Sequence, residues 1–128
     1  MHIEPSNILL KKSGHIMITD FDSAFDMTLK RDRLEPEDFR GTPKYMAPEV
    51  STRQEISFKC DIFSLSLNMS VMALGFNPHY GNRYISDELI STWVRDVGGS
   101  FQKQLEHFLK ACPKINPNDR PNIDDIKH

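Results

Sequence analysis

Two short apolar runs open the chain, Ile8-Leu9-Leu10 and His15-Ile16-Met17-Ile18, separated by the polar stretch Lys11-Lys12-Ser13-Gly14. Such runs around a glycine-containing loop predict a β-hairpin. Residues 22–40 are polar, punctuated by Pro36 and without a sustained period, which predicts a long surface loop of the kind that is functional or disordered. Residues 61–74 set two rules against each other. Over 63–71 apolar and polar residues alternate, the pattern of a strand. The run is too long for a typical strand, however, with Asp61 placed to cap a helix at one end and Gly75 to close it at the other. The prediction is therefore a helix, the longest and most buried of the chain.

Further along, Ser86 is placed to cap a helix whose apolar face is Leu89, Ile90, Trp93, Val94 and Val97, closed by Gly98-Gly99. Phe101, Leu105, Phe108, Leu109 and Cys112 form a second amphipathic stripe. A third helix begins after Pro121, with Asn122 as cap and Asp124-Asp125 in its first turn. Trp93 and both stripes read as core, not as a ligand box.

A chain of 128 residues makes at most one domain, which buries roughly two-thirds of its unfolded surface. Apolar residues at 38%, charged residues at 27% and a net charge of -2 describe an ordinary globular protein and argue against a nucleic-acid surface. The basic spots, Lys11-Lys12 and Lys30-Arg31-Asp32-Arg33, are short, the second mixed with acid, and read as solvated loop faces. Cys60 and Cys112 lack metal-ligand or redox spacing and read as buried small hydrophobes in a reducing compartment. No apolar stretch approaches a membrane span, so the expected location is cytoplasmic or nuclear, with no membrane partner.

Candidate chemistry concentrates in four strings. Residues 40–50 read Arg-Gly-Thr-Pro-Lys-Tyr-Met-Ala-Pro-Glu-Val, a polar turn leading into a short helix with a proline and an acid in its first turn. The others are Ile3-Glu4-Pro5-Ser6-Asn7-Ile8-Leu9-Leu10, Asp20-Phe21-Asp22 and Asn116-Pro117-Asn118-Asp119-Arg120-Pro121. In this order they resemble the tail of the protein kinase catalytic loop, the D-F-G element, the A-P-E element and the N-P-x-x-R-P segment. Gly41 and Thr42 resemble the substrate-facing part of the activation segment, and Thr42 points to the serine/threonine branch. Any one string is weak; four in order over essentially the whole chain are specific. An unrelated small α-rich domain would leave that order to coincidence.

The resemblance implies an α+β, mainly α-helical fold: residues 1–128 would be part of a protein kinase domain, the C-terminal lobe with a short hairpin. It also implies ATP and Mg²⁺ as cofactors and a protein substrate or partner. Asn7 and Asp20 match the oxygen ligands that hold Mg²⁺ at the phosphates, which is the ligand chemistry a hard cation requires. Glu49 and Arg120 match an ion pair that locks the activation segment to the helical base. Asp61 matches the acid that holds the catalytic-loop backbone from the start of the central helix.

The pattern breaks where the chemistry is done. Aligned on Pro5-Ser6-Asn7, the catalytic aspartate falls on His2 and the phosphate lysine on Glu4. Alternatively, Met1-His2 carries the motif's own histidine and two residues are deleted before Ile3. Neither alignment supplies the catalytic aspartate, and His2 is a poor candidate base because a side chain so near a free terminus is badly positioned. A positioned base typically contributes about 10²–10⁴-fold. Lysine to glutamate reverses a charge that at 4 Å is worth about 4 kcal/mol in a medium of effective dielectric near 20. Asp22 replaces the D-F-G glycine, either as an extra cation ligand or as a charge that repels phosphate. The motif arginine is also missing, which leaves Thr28 a weak candidate for phosphorylation. No G-x-G-x-x-G occurs in the chain, and the N-terminal lobe is absent from it. Two functions remain in view: a serine/threonine kinase relative, truncated or degenerate and inactive alone, or a pseudokinase-type binding module.

Overall fold

The computed structural model describes residues 3–22, 24, 43–52, 54, 56–78 and 85–126. Most of the expected 22–40 loop, His2, Thr28, Gly41 and Thr42 lie outside these residues. A tight 3-10 turn, Pro5–Asn7, leads into an antiparallel hairpin of β1, Ile8–Leu10, and β2, Ile16–Ile18. Ile8 faces Ile18, Leu9 faces Met17 and Leu10 faces Ile16. Gly14 turns the chain at φ 87°, a conformation in which a side chain would be strained. Helices follow: α1, Pro48–Ser51; α2, Lys59–Leu74; α3, Asp87–Val97; α4, Gln102–Ala111; and α5, Ile123–Ile126. The fold is thus mainly α-helical with one two-stranded sheet.

The segment whose pattern alternates is the 16-residue helix α2, the longest element of the described chain. Its polar positions are not a solvent face, because Ser64, Ser66, Asn68 and Ser70 are all buried. Each returns a side-chain bond to its own helix: Ser64 to the Cys60 carbonyl, Ser66 to Phe63, Asn68 to Ser64 and Ser70 to Ser66. Small polar side chains satisfied in this way can be buried on any side of a helix, so alternation carries no strand information here. Gly75 ends the helix at φ 80°, as expected of a C-terminal glycine. The N-terminus corrects the sequence reading, since the helix begins at Lys59 and Asp61 is not its cap. Instead the Ser57 hydroxyl accepts from the Lys59 N–H at 3.3 Å, and Asp61 lies in the first turn, where its charge complements the helix dipole.

Two apolar clusters pack against α2. In one, Ile90 and Val94 of α3 meet Leu105 and Leu109 of α4, with Met69, Ala73 and Leu74 of α2 behind them. Ser86 caps α3 by accepting from the Leu89 N–H, and Trp93 packs edge-on to Phe76 with ring centroids 5.2 Å apart. The expected stripes are narrower than the sequence reading had them: Leu89, Val97 and Phe101 are exposed at the ends of their helices. In the other cluster Ala47, Phe63 and Leu67 are joined by Tyr45, Val50 and Cys60.

Behind this second cluster lies a buried ion pair between residues 71 apart in sequence. Arg120 donates from Nη1 to Glu49 Oε1 at 2.6 Å and from Nη2 to Oε2 at 2.9 Å. Its remaining N–H groups reach the carbonyls of Lys59 (2.8 Å), Lys114 (2.7 Å) and Ile115 (3.1 Å). The guanidinium lies 4.8 Å from the Phe63 ring centroid, within cation–π range. Arg120→Met would leave Glu49 charged and buried and strand three carbonyls, at an expected cost of about 3–5 kcal/mol in urea unfolding. An Arg120→Met variant as stable as the parent would remove the pair from any structural role.

Cys112 is buried and Cys60 half-buried, and burial pushes both thiols up from 9.0 to about 12, with Asp61 adding to the effect at Cys60. A raised thiol pKa favours the fold fully below pH 9.0, and that contribution is lost as pH rises from there toward about 12. Both cysteines are expected to resist iodoacetamide near about pH 8 in the folded chain and to react once urea unfolds it. Rapid alkylation of either in the native state would contradict the burial.

Candidate functional site

The hairpin brings the two sequence-predicted metal ligands to one end of one ribbon. The 3-10 turn before β1 closes with the Asn7 N–H donating to the Glu4 carbonyl at 2.9 Å, and Pro5 at its first position needs no hydrogen-bond partner of its own. Asn7 is half-buried and stands opposite Thr19, one step beyond the strand pairing. Its carbonyl accepts from the Thr19 N–H at 2.8 Å and from the Thr19 hydroxyl at 3.3 Å. The next residue, Asp20, leaves the strand at φ 64°.

Asp20 is the one non-glycine residue with positive φ among those described. Aspartate tolerates this left-handed region better than most residues, and strain of this sort concentrates where a site needs an unusual aim. The turn frees Asp20 from the strand alternation, so its exposed carboxylate is not obliged to follow Ile18 or Thr19. An amide oxygen from Asn7 and a carboxylate from Asp20 are hard donors, the chemistry of Mg²⁺ or Mn²⁺ and not of zinc or copper. Among the described residues no group of three or more His, Cys, Asp or Glu side chains is gathered for a metal. Asp22 is exposed beyond Phe21, where the Ala24 N–H turns back to the Phe21 carbonyl at 2.9 Å.

Glu4 is half-buried, and its carboxylate accepts from the Ser6 hydroxyl within the same turn. A carboxylate here adds negative charge beside the Asn7–Asp20 end of the hairpin. Asp61 sits at the head of α2, and burial raises its carboxyl above the ordinary value. Glu49 and Arg120 lie in the helical base, where their mutual pairing gives them a structural place and no access to a reacting group. Sequence reasoning missed Thr19 and Asn68. Asn68, buried on α2, donates to the backbone carbonyl of Ile3 at 3.0 Å. The signal for it was an amide in a run otherwise made of apolar residues and serines. No helix among the described residues is long and apolar enough to cross a membrane.

The protein kinase domain family matches this chain over residues 1–128. The chain is 35% identical over 123 residues to the serine/threonine-protein kinase STE20 of Eremothecium gossypii, covering 92% of this chain and 12% of that protein. It is 31% identical over 121 residues to the serine/threonine-protein kinase ppk11 of Schizosaccharomyces pombe, covering 92% of this chain and 38% of that protein. With the mitogen-activated protein kinase kinase kinase 8 of Rattus norvegicus it shares 32% identity over 136 residues, covering 98% of this chain and 28% of that protein. The chain thus spans well under half the length of these relatives. With a hairpin that sets Asn7 beside Thr19-Asp20, a helical base locked through Glu49 and Arg120, and a family match over every residue, the chain belongs to the protein kinase family, among relatives of the serine/threonine type.

Proposed function

We propose that the protein serves ATP-dependent phosphotransfer to serine or threonine side chains of proteins as a metal-holding and scaffolding part of the kinase site, and that this 128-residue chain does not itself transfer phosphate. The observation that carries the first half is the hairpin end, where Asn7 is tied to Thr19 and Asp20 turns out of the strand at φ 64°. Asn7 and Asp20 would hold Mg²⁺, which when bound neutralises charge on the ATP phosphates. Asn7 supplies a neutral oxygen held by the turn, and Asp20 supplies the anionic one.

The second half rests on residues that are present. Aligned on Pro5-Ser6-Asn7, His2 falls where the family carries its proton-accepting aspartate and Glu4 where it carries a cation for the transferred phosphate; with His2 as the motif's own histidine the aspartate is deleted. Glu4 is engaged with Ser6, so its negative charge stays at the turn. These features favour a second reading, a pseudokinase-type module that acts by binding a protein. The kinase-type scaffold supports both readings; neither expects phosphate transfer from this chain, and they part at Mn²⁺ binding.

The test combines transfer of radiolabelled phosphate to a serine/threonine peptide library with Mn²⁺ titration followed by electron paramagnetic resonance. Mn²⁺ binding is expected in the parent and at least about tenfold weaker in Asp20→Ala, a loss of about 1.4 kcal/mol. Phosphotransfer is expected to be undetectable and ATP affinity weaker than about 1 mM, or about −4.1 kcal/mol. Transfer that disappears in Asp20→Ala but survives His2→Ala would overturn the inactive half of the proposal. Transfer lost on His2→Ala would make that histidine the base, and a parent that does not bind Mn²⁺ would overturn the metal-holding half.

A further inference from the structure

Asn68 is fully buried in the middle of α2, and it is the one described residue with a buried side-chain oxygen lacking a hydrogen-bond partner. Its orientation follows from its surroundings, because Nδ2 faces two carbonyl oxygens, Ser64 at 2.7 Å and Ile3 at 3.0 Å, and only a donor can sit there. Oδ1 is left without a donor as a result. A leucine at the same position would remove the unpartnered oxygen but would also leave the Ile3 carbonyl without the Asn68 donor. What asparagine adds is a bond out of the helix. The hydroxyls of Ser66 and Ser70 serve their own helix, whereas Asn68 also reaches a residue 65 positions away.

That residue lies two positions before the Pro5–Asn7 turn. Ile3 is itself buried, Glu4 accepts the closing N–H of the turn, and Pro5 holds its φ near that of the turn. Asn7 then accepts both Thr19 bonds, and Asp20 follows directly. A line of short, stiff connections therefore runs from the centre of α2 to both candidate ligands. We infer that Asn68 is a positioning residue, which through the Ile3 carbonyl fixes the Asn7 turn on the central helix and so sets the aim of the Asn7–Asp20 pair. For its purpose this rests on the metal-holding reading; the tether is judged separately.

The decisive measurement is residue-resolved amide hydrogen exchange by NMR on the full chain, in the parent and in Asn68→Leu and Ser64→Ala. Ser64 is the control, since its hydroxyl also leaves the helix but for the Tyr45 carbonyl, on the other cluster. In Asn68→Leu the Thr19 amide is expected to exchange at least about tenfold faster while Leu105 and Leu109 keep their rates. Mn²⁺ affinity should fall by at least about threefold in Asn68→Leu and stay at the parent value in Ser64→Ala. A residue that only packs would not loosen Thr19 while leaving Leu105 and Leu109 protected. Unchanged Thr19 exchange, equal acceleration in Ser64→Ala, equal acceleration at Leu105 and Leu109, or failure of Asn68→Leu to fold would each overturn the inference. In the parent alone, absence of a nuclear Overhauser effect between the Asn68 side-chain amide and Ile3 would also overturn it. Should the parent bind no Mn²⁺, the proposed function fails, and Thr19 exchange still decides the role of Asn68.

Discussion

A guanidinium has five N–H groups in one plane, and the fold around Arg120 uses all of them. Two go to the Glu49 carboxylate and three to backbone carbonyls of Lys59, Lys114 and Ile115. The pair gathers α1, the head of α2 and the segment after α4 around one buried charge. Lys59 returns the connection by donating to the Arg120 carbonyl. Desolvating two charges is expensive, and a well-packed apolar pair can be equally stable. The pair's particular contribution is registration: an apolar substitute would fill the space, but could not demand those three carbonyls at those positions.

From that anchored end, α2 extends the order toward the hairpin. Its buried hydroxyls satisfy themselves on helix carbonyls, which lets several elements pack around it without stranding polar atoms. Ser64 holds the Tyr45 carbonyl at 2.7 Å on one side and Asn68 the Ile3 carbonyl on another. The scaffold is thus held by α2 while Glu4 and Asp22 put negative charge near the candidate site. Scaffold and chemistry are separable because packing and backbone carbonyls maintain the first and a few exposed or half-buried side chains carry the second.

Much of this organisation was legible in the residues. The hairpin followed from two short apolar runs and Gly14, and the caps from Ser86 and Gly75. The alternation over α2 pointed to a strand, and the length of the run and Gly75 rightly outweighed it; the pattern carries no strand information because serine and asparagine can bond to the preceding helical turn. Asp61 resembled a cap by residue type, yet Ser57 was nearer the true start. Leu89, Val97 and Phe101 were legible as apolar but not as exposed, since a stripe does not reveal how wide its partner is. At the site, residue types pointed to Asn7 and Asp20, while the positive φ of Asp20 and the reach of Asn68 to Ile3 depend on tertiary placement and left no periodic trace.

The hairpin has a consequence for how the candidate ligands keep their partners. A ribbon with one wet and one dry face resists slipping, because a shift of one residue exchanges the two faces. Here Leu10 and Ile16 are exposed on one face and Leu9 and Met17 on the other, and only the Ile8–Ile18 pair, at the Asn7 end, is half-buried. Sliding β2 by one residue would set Ile18 or Asp20 opposite Asn7 in place of Thr19. The phase of the ribbon is therefore held at its two ends, by the Gly14 turn with the Lys11 N–H on the His15 carbonyl, and by Thr19 on Asn7. The five-residue connection 11–15, at the far end of the ribbon from Asn7 and Asp20, thus shares in keeping the candidate site in step.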